Sequence, residues 1–547
     1  MSRHYRQRRR NRESMMVYPI SSILLALAVI MSAPVKAVDI SEGSRPPDRQ
    51  VVVRQVTSLP STFDPLKQTQ PEDAPWLQDL FEGLTRVDPQ GNILPGVAVS
   101  WGSNDNRNWI FTLRKNARWS DGTPVTADDF VHGWQRLAET DTASLYKTYL
   151  QQSGVKNAQQ VIRGELPPQA LGITAIDSTH LKITLARPLA YFPVMTTHPA
   201  FYPQKHRNQS GHWWDNGQTQ LFNGAWMLSG HSQPHSIDLT PNPYYYNAAG
   251  TVLTKVTYIE IKNDPELFRR YALGNVHISA PLKLHQPVNE PFKNQIVSSP
   301  RLANWLLVFD QVNGPTTDVR VRKALSWSID RKAIVASILQ NRAIVAWQMT
   351  PASTGNFTPQ LLSAEQHTVQ ERITQAKSLL LSAGYGPSRP LSLTFSYRDA
   401  GDEPQVVRAI AAMWQKQLHA QIILKPLSPG QPPEPVANVT GATVLAEFNH
   451  PAAFLNPLTT GHPQNISKFS NKQYDSLIHR AEQESSDQLR NQDYNQAEHL
   501  IAEQVPVAPV YQYATQRLVA PELQGYQEKN PQGLYYSREL WMGLPAE

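Results

Sequence analysis

The residues that could do chemistry in this chain are few in kind. None of its 547 residues is cysteine, which excludes a disulfide framework, a thiolate metal site, a cysteine nucleophile and lipid attachment through cysteine. His198, His206 and His212 lie near Trp213 and Trp214 on a polar stretch. A helical pair of metal ligands needs i, i+4 spacing, so these read as ordinary surface histidines. There is no Gly-x-Ser-x-Gly elbow, no phosphate loop and no His-Glu-x-x-His. The expectation is a binding protein that is not an enzyme and needs no cofactor or metal.

The densest pattern, Trp119-Ser120-Asp121-Gly122-Thr123-Pro124-Val125-Thr126, is a folding device. Asp-Gly supplies the positive φ of a tight turn and Pro124 fixes the next φ. Thr126 is placed to cap a helix, with Asp129 three residues on and Phe130, Trp134 and Leu137 along one face.

Strand-like runs with β-branched and aromatic residues at period two are Val51–Val56, Trp109–Leu113, His180–Leu185, Val256–Ile261, Leu391–Phe395 and Gln421–Leu424. Helical spacing predicts Arg320–Ser337, Glu371–Ala383 with Gly384 as its C-cap, and Gln488–Gln504. Strands interleaved with helices of this length predict α/β lobes. Pro429–Pro435 reads as an extended surface loop, because proline neither continues a helix nor donates to a ladder.

Residues 1–37 read as a signal peptide. Arg3, Arg6, Arg8, Arg9, Arg10 and Arg12 make a basic start, Ile20–Met31 an apolar core, and Val35 and Ala37 a small-residue cleavage site before Val38. That core is about a dozen residues, short of the roughly 20 that span a bilayer. With Lys36 the leader holds seven basic residues against one acid, Glu13. Its net +6 equals that of the whole chain, so the remainder is neutral. A nucleic-acid partner is therefore not expected. The 510 or so residues that remain exceed one core and predict two or three domains.

Ordered motifs then carry a resemblance. They include Phe63-Asp64-Pro65, Asp79-Leu80-Phe81-Glu82-Gly83-Leu84, the Trp119 block, Asn223-Gly224-Ala225, Asp318-Val319-Arg320-Val321-Arg322, Ala383-Gly384-Tyr385 and Pro506-Val507-Ala508-Pro509-Val510-Tyr511. In this order the chain resembles the periplasmic oligopeptide-binding proteins. These are the family 5 solute-binding receptors of peptide-type ABC importers. The resemblance implies an α/β, two-lobed periplasmic-binding-protein fold with a hinge, plus an extra domain inserted in the first lobe. Lobe I would comprise 38–80, 204–305 and 514–547, the extra domain 81–203, and lobe III 306–513. A monomer would capture a small peptide or peptide-like ligand in the periplasm and deliver it to an ABC permease in the inner membrane.

The same resemblance assigns the site. Glu447-Phe448-Asn449-His450-Pro451 stands where the family has Asp-Tyr-Asn-Glu-Pro, so Glu447 would pair with a peptide ammonium and Asn449 would bind the ligand beside it. Tyr146 and Tyr513 align with cleft tyrosines, and Trp305 sits where the lobes cross over. Departures accompany these matches: Gly441, Val444, Ala280, Glu403, Leu339 and Thr69 replace family cleft residues, three of them cations that meet ligand carboxylates. The expectation is that a free peptide carboxylate finds no cation in the cleft. The alternatives are a non-peptide ligand, or a periplasmic scaffold or chaperone that no longer serves transport.

Overall fold

The computed structural model describes residues 49–60, 62–67, 74–88, 91–205, 220–229, 235–282, 292–428, 437–526, 530–533 and 535–543. The leader, His206, His212, Trp213, Trp214, Thr69 and the Pro429–Pro435 loop lie outside them.

Three larger sheets organise the chain. The first orders Val51–Val56, Lys255–Glu260, Ser236–Pro241 and Trp226–Leu228; its first pair is parallel and the others antiparallel. The second orders Ala343–Val345, Val507–Leu518, Ile296–Phe309, Val439–Leu445, Ser392–Arg398 and Gln421–Leu427. The third is an antiparallel sheet of Ala98–Gly102, Asn108–Leu113, His180–Thr184 and Ile173–Asp177. All six runs with strand alternation form strands; five bury residues in their interior, and the edge strand Gln421–Leu427 half-buries Ile422 and Leu424 while Ile423 stays exposed.

The Trp119 block folds as its residues dictate. Gly122 has φ +82°, and Asp121 accepts from the Thr123 amide at 2.9 Å. Asp129 accepts from the Thr126 amide at 2.8 Å and from the Trp119 indole at 3.1 Å, so the turn and the helix Ala127–Ala138 share one buried carboxylate. The helix read over Arg320–Ser337 is broken. It runs Val319–Trp327 and resumes at Arg331–Ala333, capped by Asp330. The break delivers the Arg331 guanidinium inward to the carbonyls of Pro509 at 2.8 Å and Ser326 at 2.9 Å.

Two long antiparallel strands, Ile296–Phe309 and Val507–Leu518, connect the first two sheets. One half of the pair lies inside the second sheet. The other half reaches the first sheet through bridges from Val519 to Ile278 and from Ile278 to Arg54. Their ladder is irregular where Pro300 faces Ala514 and Asn304 faces Gln512, which turns Arg301 and Leu302 out of register.

Candidate functional site

A cavity of about 530 Å³ opens where the three parts of the chain meet. The first sheet contributes Arg54, Val56 and Tyr258 to its wall, and the long strand contributes Thr515 and Arg517. Leu445 and Glu447 enter from the end of Val439–Leu445, and Tyr146 and His198 from the segment that carries the third sheet.

Glu447 sits just past its strand, held there by the Ala446 amide donating to the Leu302 carbonyl at 2.8 Å. Its side chain is exposed at the cavity, yet the surrounding walls desolvate the carboxylate and raise its pKa above the usual value. No described cation lies within ion-pair distance of it. The residues after it are pinned. Phe448 stacks on Tyr191 at 5.7 Å and His450 on the same ring at 4.5 Å.

Tyr146, half-buried, meets His198 edge-on at 4.9 Å, and His198 stacks on Tyr149 at 4.0 Å. Burial pushes the His198 pKa down to about 3, so this histidine is a neutral wall.

The other predicted site residues are elsewhere. Asn449 is a buried clasp: its amide donates to the Gly91 carbonyl at 2.9 Å, and its oxygen accepts from the Gly355 amide at 2.7 Å. Trp305 is fully buried in the core of the second sheet, parallel to Tyr511 at 5.6 Å. It fills the space beside Gly441, where a Cβ would lie 2.8 Å from both the indole and Glu403. The Tyr513 hydroxyl pairs with Thr443 at 3.0 Å, outside the cavity wall. Leu339 is core, and Glu403 starts the helix Glu403–Leu418.

Sequence reasoning missed the cationic floor. Arg54 is buried with Asp79 at 3.2 Å, and Arg517 and Arg301 line the same cavity. The expectation that the cleft offers a carboxylate no cation does not hold for this cavity, because arginines enter it from the first sheet and the crossover. The period-two run Tyr513, Thr515, Arg517 was the available signal, since alternate residues share a strand face.

Two lobes bridged by paired strands, an added domain and a cavity at their junction define a hinged solute receptor. The chain belongs to the bacterial extracellular solute-binding proteins, family 5, whose middle-region model matches residues 92–466. It is 38% identical over 539 residues to the periplasmic murein peptide-binding protein MppA of Escherichia coli, covering 96% of this chain and 99% of that one. The periplasmic oligopeptide-binding protein OppA of Salmonella typhimurium is 32% identical over 526 residues, 94% of this chain and 96% of the relative. The probable deoxycholate-binding periplasmic protein YgiS of Escherichia coli is 32% identical over 531 residues, covering 95% and 99%. The unliganded open form of MppA superimposes with a TM-score of 0.87 over 92% of this chain and 99% of that one. A second structure of the Escherichia coli protein, equally 38% identical and covering 91% and 99%, gives 0.69.

Proposed function

We propose that the chain is the solute receptor of an ABC importer, capturing a peptide or peptide-like ligand in the periplasm and closing its lobes around it before docking on a membrane permease. The observation that carries this is Glu447: a carboxylate with no cation beside it among the described residues, set on the cavity wall where an amine would complete it. Family membership and relatives named for murein peptide and oligopeptide binding support the same reading. Leu145 and Leu445 line the cavity from different parts of the chain and are 69% and 57% exposed, apolar surface that lobe closure would cover. The lobes proposed are 38–80 with 204–305 and 514–547, and 306–513, with 81–203 as the added domain. The leader 1–37 is removed before Val38, and N-terminal sequencing of the periplasmic fraction checks this.

Calorimetry on the mature protein with tri- and tetrapeptides, each with a free and an acetylated N-terminus, tests the function. Acetylation should weaken binding at least tenfold in the wild type and leave Glu447→Gln indifferent. Equal affinity for both forms would remove Glu447 from the site. Binding of deoxycholate with none of any peptide would move the receptor to non-peptide solutes.

A further inference from the structure

We infer that the floor of the cavity is an anion seat, built on Arg517 with Arg54 behind it, that takes a carboxylate of the ligand while Glu447 holds its amine. The inference rests on the peptide-receptor reading and specifies its ligand: a peptide whose carboxylate reaches the first sheet.

Arg517 is only 6% exposed and lines the cavity. Among the described residues its guanidinium has neither a carboxylate partner nor a hydrogen-bond acceptor, and its near neighbour is the Tyr535 ring at 5.4 Å. A guanidinium so enclosed is costly to leave without a counter-charge. Arg54, 1% exposed, packs on the other side of Tyr535 at 4.3 Å. Asp79 and the Ser537 hydroxyl meet its Nη1, while Nε and Nη2 find no acceptor among the described residues. Of the two buried arginines, Arg54 has Asp79 as its counter-charge and Arg517 has none among the described residues, so the pair carries one positive charge in excess. Tyr535 registers that field: burial would push its phenol up, yet Arg54 and Arg517 bring it below the ordinary tyrosine value. A planar carboxylate matches the fork of a guanidinium better than any neutral group. The strand carrying Arg517 is also one of the two that join the sheets, so the seat keeps its place when the lobes move.

The carboxylate could be a peptide's C-terminus or an acidic side chain, and three peptides separate these: Ala-Gln-Ala as free acid, Ala-Gln-Ala amide and Ala-Glu-Ala amide. Calorimetry on the mature protein should show one of the two acid-bearing peptides binding at least tenfold more tightly than Ala-Gln-Ala amide. Arg517→Gln should abolish that gap. Arg517→Lys keeps the charge without the fork and should shrink the gap at least threefold, which decides the matter if the Gln variant does not fold. A wild type indifferent to carboxylate, or a gap unchanged in the variants, overturns the seat and leaves the peptide reading intact. If no peptide binds, that reading fails, and the seat is read on propionate. Propionate should raise Tm above chloride at equal ionic strength in the wild type and not in Arg517→Gln. No effect of propionate would overturn the seat as well.

Discussion

Two carboxylates near one cavity lead opposite lives. Asp79, behind the first-sheet wall, is wholly buried and accepts from Arg54 at 3.2 Å, the Tyr258 hydroxyl at 2.7 Å, and both the amide and hydroxyl of Ser537 at 2.9 and 2.6 Å. Glu447, on the facing wall, accepts from no described group. The first is finished within the fold and holds distant segments together. The second is left for something the fold does not contain. Asp79 therefore serves stability and Glu447 recognition, and substitutions at the two should separate these roles.

The largest effect should come from the finished side. Arg54→Met leaves Asp79 a buried charge without its cation, a break that costs about 3–5 kcal/mol. Urea unfolding measures it, and a loss under about 1 kcal/mol would mean the Asp79 knot does not hold these segments together.

A second buried acid sharpens the contrast. Glu498 accepts from the amides of Thr350 at 2.7 Å and Met349 at 3.0 Å, yet burial pushes its pKa up to about 7 from 4.5. The fold then holds a proton that the unfolded chain releases. Stability is full below the unfolded carboxyl pKa and is lost as pH rises through about 7, by up to about 3 kcal/mol. Denaturant midpoints from pH 5 to 8 should fall in the wild type and stay flat in Glu498→Gln; a rise would reverse the assignment.

Asn449 lies two residues from Glu447 but belongs with Asp79. Asn449→Ala should cost about 2–3 kcal/mol, for two hydrogen bonds whose partners are left unpaired. Ligand affinity should hold. A variant with native Tm and impaired binding would place Asn449 in the recognition wall after all. Glu447→Gln should do the reverse, weakening an amine-bearing ligand by about 1.5–3 kcal/mol with no change in the ligand-free Tm.

What the sequence made legible follows from how local its causes are. Period-two alternation found six strands, and the Trp119 turn was readable residue by residue. The Arg320–Ser337 helix was overextended because apolar spacing continues through the break, where Asp330 caps a new helix and Arg331 reaches the Pro509 carbonyl. At the site, Glu447 could be named from its motif. Arg517 could not, because its role depends on which face of a long strand meets the cavity. Trp305 looked like a cleft aromatic but is wholly buried, and nothing in its sequence neighbourhood distinguishes a core face from an open one.

The Asn449 clasp has a consequence for how this sequence can drift. A Cβ at Gly91 would lie 2.7 Å from its amide nitrogen, and one at Gly355 2.9 Å. Three positions scattered over the chain are thus tied into one evolutionary unit. Their freedom is unequal: Gly91 is also held by a backbone φ of +85°, whereas Gly355 is constrained by crowding alone. Loss of the Asn449 side chain would release position 355 to accept alanine while position 91 stays glycine. Lineages that replace Asn449 should therefore show their compensating change at 355, and the double variant Asn449→Ala, Gly355→Ala should be less damaged than its two parents together.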